Sequence, residues 1–325
     1  MSLAVGLSAA YAAGLIAWFL LSKSIGLDFG VYWRAANEPL ASVYLPRDVL
    51  NFPYAPTMLL WVAPLALLPL WLAYPSWVII SIGAFAAACR GLLNRQEIAL
   101  ALISPPIVYA LLNGQVTIAL TALLLWACGT SNRPMAGIAL AIIASIKPHL
   151  VIMAPLLMLA TRDWRALLTA FLATVTIVLT SAWAFGFETW QAWAQSVGHF
   201  NAILTKNNVL VVAATPYSVA RYWGLSPIPF LIVGAALGAW LVVNCRGQGP
   251  LQQSAAVATG SLLAAPYAIT YDLSPLVPFL AWSVFRGRIA AALAMSGTLN
   301  PLPLLLTAYC LFKRPADQLR KNPVA

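Results

Sequence analysis

The chain has 325 residues, of which 62% are apolar and only 8% charged, with a mean hydropathy of +0.85. A soluble domain carries about 25% charged residues, so this composition excludes a water-facing globular surface. The formal charge of +10 does not point to nucleic acid, because most basic residues sit at the ends of apolar runs and no basic run with interleaved aromatics occurs.

Apolar runs recur from end to end, many near the roughly 20 residues needed to cross a hydrocarbon core about 30 Å thick. They are continuous rather than alternating, which excludes a membrane β-barrel. An all-α polytopic membrane bundle, whose helices satisfy their own backbone in lipid, is the expected fold class. The whole chain, 1–325, reads as one membrane domain of about ten to twelve spans.

In chain order, 3–22 is the first span; it lacks a basic n-region and is read as retained rather than cleaved. A polar segment follows at 23–55. Residues 56–73 are interrupted by Pro56, Pro64 and Pro69 and read as a short or half-inserted helix. Residues 74–90 form a span ending at Arg90 and Arg95, and 97–112 return to Asn113-Gly114-Gln115. The run 116–130 leads to Arg133. The run 134–162 is broken by Lys147-Pro148 into two short helices, and Arg162 and Arg165 mark the next turn. A span at 166–185 precedes a second long polar segment, 186–225, with Glu188, His199, Lys206, Asn207, Asn208 and Arg221. Runs at 226–244, 251–268 and 273–285 follow. Residues 289–312 are one kinked span or a hairpin around Asn300-Pro301, the basic tail from Lys313 to Lys321 favouring the hairpin.

The charges give this pattern a direction. Arg90, Arg95, Arg133, Arg162, Arg165, Arg246, Arg286 and Arg288 fall on one side, expected to be cytoplasmic. The opposite side holds Lys23, Arg34, Arg47, Lys147, Lys206 and Arg221 over longer segments. It also holds Asp28, Glu38, Asp48, Glu188 and Asp272, five of the eight acidic residues. Such a chain is expected in the plasma (inner) membrane, with any site on the extracytoplasmic face.

Few residues are available to carry chemistry. Asp28 lies just beyond the first span, followed by Tyr32 and Arg34; it is either a functional carboxylate or an N-cap for the helix of DFGVYWRAA. The cluster Asn51-Phe52-Pro53-Tyr54-Ala55-Pro56 is an interfacial anchor or a cavity wall. Asn113-Gly114-Gln115 is a turn, or supplies two amides for sugar hydroxyls. Lys147, in the apolar stretch IASIKPHLV with His149 two residues on, either snorkels or pairs with an anion such as a lipid-linked phosphate. Asp272 can bind a hydroxyl or pair with Arg221 or Lys147. Cys89, Cys128, Cys245 and Cys310 have no metal-ligand spacing and read as packing residues. With two histidines and no P-loop or dinucleotide glycine pattern, no metal or cofactor is expected.

Together these segments resemble glycosyltransferase family 87, within the multi-span C-type glycosyltransferase superfamily. The resemblance is carried by Asp28-Phe29-Gly30-Val31-Tyr32-Trp33-Arg34, Val43-Tyr44, Phe52-Pro53-Tyr54-Ala55-Pro56 and Asn113-Gly114-Gln115. It continues through Arg133-Pro134-Met135-Ala136-Gly137, Lys147-Pro148, Arg162-Asp163-Trp164-Arg165, Phe185-Gly186-Phe187-Glu188-Thr189-Trp190 and Ala265-Pro266-Tyr267 to Tyr271-Asp272. The chain departs at Ala55, where the family usually has a first proline of a pair, and at Ala265, where a serine is frequent.

The resemblance implies transfer of a hexose, typically mannose, from a polyprenyl-phosphate donor to a glycolipid or glycan hydroxyl. It implies an aspartate in the first outer segment as general base, and Asp28 matches it. Attack by one activated hydroxyl implies inversion at the anomeric carbon. Lys147, then Arg221, are the expected partners of the leaving phosphate. Tyr32, Arg34, Tyr54, Asn113, Gln115, His149 and Asp272 complete the expected substrate-binding set. A lipid transporter or flippase, or a scaffold without catalysis, are the competing readings.

Overall fold

The computed structural model of the protein describes residues 2–46, 52–206, 209–297 and 300–312. Of the residues singled out above, Arg47, Asp48, Asn51, Asn207, Asn208, the side chain of Lys206 and the tail 313–325 lie outside it.

The described residues form helices α1 (Ser2–Leu21), α2 (Leu27–Asn37), α3 (Leu40–Val43), α4 (Thr57–Val62), α5 (Leu70–Cys89), α6 (Arg95–Leu102), α7 (Pro105–Asn113), α8 (Thr117–Gly129) and α9 (Arg133–Ile146). They continue as α10 (Ala154–Ala160), α11 (Trp164–Phe185), α12 (Phe187–Lys206), α13 (Pro216–Tyr222), α14 (Ile228–Asn244), α15 (Pro250–Leu263), α16 (Val277–Val284), α17 (Ile289–Met295) and α18 (Leu302–Phe312). Short 3-10 turns at Ala63–Leu67, Pro148–Leu150, Val209–Val212 and Thr270–Leu276 join some of them. No strand occurs among the described residues; the one β-type contact is an isolated bridge between Ala213 and Ile269.

Two helices, α5 and α11, are by themselves long and apolar enough to cross a membrane, and α6 with α7 pass together although bent by 57°. The bend follows from Pro105 and Pro106, which lack the N–H groups that would continue α6. Ser8–Leu21, Thr57–Leu67, α8, α9, α14 and α18 are shorter apolar helices. The apolar runs of the sequence are thus cut more finely than expected. The run 134–162 breaks at Lys147-Pro148 as predicted, and 289–312 forms two helices, α17 and α18, that pack on each other.

The segment 186–225, read as a long polar loop, is mostly helical, with α12 and α13 in it. Its apolar residues Trp190, Trp193, Val197 and Phe200 are spaced three or four apart, the period of one helix face.

Polarity is distributed as in a lipid-immersed bundle. The long helices expose large apolar side chains, Trp183 of α11 at 86% and Ile79, Ile80, Phe171, Ile232 and Val233 similarly. The central helix α15 carries Ser254, Thr259 and Ser261, all buried. A helix enclosed by other helices can hold hydroxyls that reach across to them, as Ser261 Oγ does in accepting from the Met153 N–H at 3.0 Å. α15 packs on α14 through glycines. A Cβ at Gly238 would lie 2.5 Å from the Gly260 carbonyl oxygen, and one at Gly234 would lie 2.1 Å from that of Leu263. The Gly234-x-x-x-Gly238 spacing gives α14 one smooth face for this approach.

α9 and α11 run side by side, joined at one end by Arg133, whose Nη2 lies 2.5 Å from Asp163 Oδ2. Arg286 Nη1 bonds Glu97 at 2.7 Å, so, among the described residues, Asp163 and Glu97 on the expected cytoplasmic side are each paired with an arginine of that side. α9, about 21 Å long at 1.5 Å per residue, separates the Arg133 end from Lys147.

Candidate active site

α1 ends in a turn that leads to Gly26, whose N–H donates to the Leu112 carbonyl at 2.7 Å. This bond ties the start of α2 to the end of α7. α7 is closed by Gly114 in the left-handed conformation, φ +72°, and a Cβ there would lie 2.5 Å from Phe29 Cβ. Glycine is needed on both counts, and the close approach brings Gln115 against α2.

Asp28 is not the N-cap of α2. Gly26 holds that position without a side-chain bond, and the Asp28 carboxylate turns to Gln115, whose Nε2 donates to Oδ2 at 2.5 Å. Gln115 Oε1 accepts from the Tyr32 hydroxyl at 3.0 Å and lies 3.4 Å from that of Tyr54. The two hydroxyls share a bond of 2.9 Å. One buried amide therefore links the carboxylate to a tyrosine pair. Burial pushes the Asp28 pKa above the ordinary carboxylate value, and the Gln115 bond and the Lys147 charge offset part of the rise.

A second cluster stands where α9 ends. Lys147 cannot continue the helix before Pro148, and its side chain turns inward. Its Nζ lies 2.7 Å from Asp272 Oδ1 and 3.2 Å from Thr117 Oγ1, and 4.7 Å above the Tyr271 ring. The side chains of Lys147 and Asp272 are only 4% and 2% exposed. Asp272 Oδ2 accepts from the Ile269 N–H at 3.0 Å, and His149 Nε2 stands 3.6 Å from it. The His149 nitrogen is buried and makes no hydrogen bond.

Both clusters line one cavity of about 530 Å3, together with Tyr54, Tyr109, Asn113, Tyr267, Tyr271, Trp190 and Trp193. The volume is in the range of a small-molecule pocket. A buried ring nitrogen at this cavity, Trp190 Nε1, has no hydrogen-bond partner, while His149 Nε2 meets the Asp272 carboxylate only at 3.6 Å. A desolvated donor without a partner costs free energy that a ligand oxygen restores.

Of the residues expected from the sequence, the cavity brings together Asp28, Tyr32, Tyr54, Asn113, Gln115, Lys147, His149 and Asp272. Arg34 and Arg221 are not among its described lining residues. Arg34 turns back on its own helix, donating from Nε to the Gly30 carbonyl at 3.3 Å. Between the two partners considered for Asp272, the structure selects Lys147. Sequence reasoning missed Thr117, Tyr109 and Trp190 as site residues. The helical spacing of Trp190 and Trp193 was the available signal for Trp190. For Thr117 it was its place two residues beyond Gln115.

Comparison with known families decides what such a site belongs to. The model of glycosyltransferase family 87 matches residues 52–266, more than half of the chain. The chain belongs to glycosyltransferase family 87. Neither a search of curated proteins nor one of solved structures finds a match. In this family 87 chain the matched region contains Tyr54, Asn113, Gln115, Lys147 and His149, and excludes Asp28, Tyr32 and Asp272. Family membership establishes a membrane glycosyltransferase, and the two carboxylates lie outside the matched region.

Proposed function

We propose that this protein transfers a hexose, mannose being the expected one, from a polyprenyl-phosphate donor to a hydroxyl of a glycolipid or glycan. The observation that carries the reading is the pairing of two unlike clusters in one cavity. One is a carboxylate of raised pKa held by an amide; the other is a cationic group held by a second carboxylate.

In the reaction, Asp28 takes the proton of the acceptor hydroxyl as that oxygen bonds to the anomeric carbon. The bond from carbon to phosphate oxygen breaks, and its electron pair leaves with the lipid phosphate. Lys147 is positioned to stabilise that charge, with His149 Nε2, 3.6 Å from Asp272, beside it. Asp272 is already neutralised by Lys147 and is not a free nucleophile. With one base and no second reactive carboxylate, displacement is single and the anomeric configuration inverts.

α11 supports access from lipid. Thr174 and Val178, near the middle of a helix about 33 Å long, border the cavity. A donor anchored in the bilayer reaches the site there without leaving the membrane. The proposed setting is a bundle of ten to twelve spans of the C-type glycosyltransferase kind in the plasma membrane, with the cavity on the extracytoplasmic side. The clustering of arginines at the other helix ends supports this orientation. Membrane lipids are the remaining partners, and neither metal nor nucleic acid enters the reaction. Family membership disfavours a transporter without glycosyl transfer.

The test is reconstitution in liposomes with polyprenyl-phosphate mannose and candidate glycolipids, read by mass spectrometry and by the anomeric configuration of the product. Addition of one hexose in the configuration opposite to the donor supports the reading. Retention of configuration, or solute movement without product, contradicts it.

A further inference from the structure

A second cavity, of about 330 Å3, lies behind the wall of the first. The wall is the 3-10 turn around Asp272: Ile269, Tyr271 and Asp272 line the reaction cavity, while Thr270, between them, lines the other. Tyr11 of α1, Tyr222 at the end of α13, Trp223 beside it and Asn300 form much of its remaining lining.

Its chemistry is specific in two respects. The Asn300 Nδ2 group points to the Val212 carbonyl at 3.5 Å, an oxygen that also accepts from Thr270 Oγ1 at 3.2 Å. The Asn300 Oδ1 atom is buried and makes no hydrogen bond, so the cavity offers an acceptor that lacks a donor. Its described lining residues are uncharged. Three aromatic rings with one unfilled amide acceptor match a neutral ring that has apolar faces and hydroxyl edges.

We propose that this second cavity is a subsite for a neutral sugar ring of the acceptor, remote from the ring that receives the hexose. The proposal rests on the glycosyl-transfer reading above. It adds that the acceptor carries more than one sugar, with its reactive hydroxyl in the first cavity and the chain passing the edge of the Ile269–Asp272 turn to set another ring against Trp223 and Asn300. Trp223, 71% exposed, gives the subsite an open aromatic platform.

The experiment uses the full-length protein in nanodiscs, with Asp28→Asn present so that binding is read without turnover. The probe is a neutral mannose trisaccharide, titrated by tryptophan fluorescence and by saturation-transfer NMR. Saturable binding is expected, with the dissociation constant raised at least tenfold by Asn300→Ala and by Trp223→Ala. Trp223 is largely exposed, so its removal keeps the fold, and NMR reads that variant after its fluorescence is lost. In the active protein, either substitution raises KM for an acceptor of two or more sugars and leaves kcat unchanged. Equal affinities in all variants overturn the subsite. Such a result leaves transfer itself standing, whereas absence of product with every acceptor refutes the underlying reading.

Discussion

Gln115 and Asp28, 87 positions apart in sequence, share a hydrogen bond of 2.5 Å from the amide nitrogen to Oδ2. That bond fixes which oxygen of the carboxylate is engaged, leaving Oδ1 for an incoming hydroxyl. It also favours the charged form of a group that burial would otherwise keep protonated.

This relationship sets a pH dependence. A base must be ionised to act, and the Asp28 pKa is raised, so activity falls on the acid side at a pH above the ordinary aspartate value of about 3.9. Gln115→Leu removes an interaction that lowers the pKa, so the acid limb of the kcat/KM profile moves further up. A profile that moves down, or not at all, removes Gln115 as the positioning residue for Asp28.

The Lys147–Asp272 pair is buried, and breaking it from one side strands a charge. Asp272→Ala is expected to cost about 3–5 kcal/mol of stability. Replacing both, Lys147→Met with Asp272→Leu, recovers much of that loss while transfer remains abolished. Thermal unfolding in detergent beside an activity assay reads both effects.

Gly114 is constrained by its backbone angle and by Phe29. Gly114→Ala is predicted to cost about 1–3 kcal/mol through the left-handed conformation alone, with the contact against Phe29 added to it. The displacement of Gln115 lowers kcat more than it raises donor KM. Steady-state kinetics with the donor varied separates the two.

The same close-approach reasoning applies far from the site. Gly238→Leu forces α14 away from Gly260 of α15 and is expected to lower the unfolding temperature by several degrees. Gly83→Ala, inside α5 where nothing lies within 4 Å of the added atom, is the control and holds or raises it.

Much of the candidate site was legible in the sequence because chemistry stands out in so apolar a chain. Lys147 was conspicuous as a charge amid an apolar stretch, and Tyr32 lies one helical turn from Asp28. Arg34, six positions from Asp28, falls roughly 120° around the same helix at 100° per residue, and so leaves the cavity that Tyr32 enters. Arg221 shows the other limit: spacing does not tell which of two cations reaches a distant carboxylate. The number and length of spans were less legible. Hydropathy averages across prolines such as Pro105 and Pro106, where the backbone hydrogen bonds stop. In 186–225 the scattered polar residues masked a helical repeat of aromatics.

The central claim is that Asp28 is the base of glycosyl transfer. Its most direct test is a single-turnover measurement on reconstituted wild-type protein and Asp28→Asn, with donor binding measured in parallel. Loss of a general base is expected to slow transfer roughly 10²–10⁴-fold while donor affinity and unfolding temperature are retained. Transfer by a folded Asp28→Asn protein at a rate within a few-fold of wild type would contradict it.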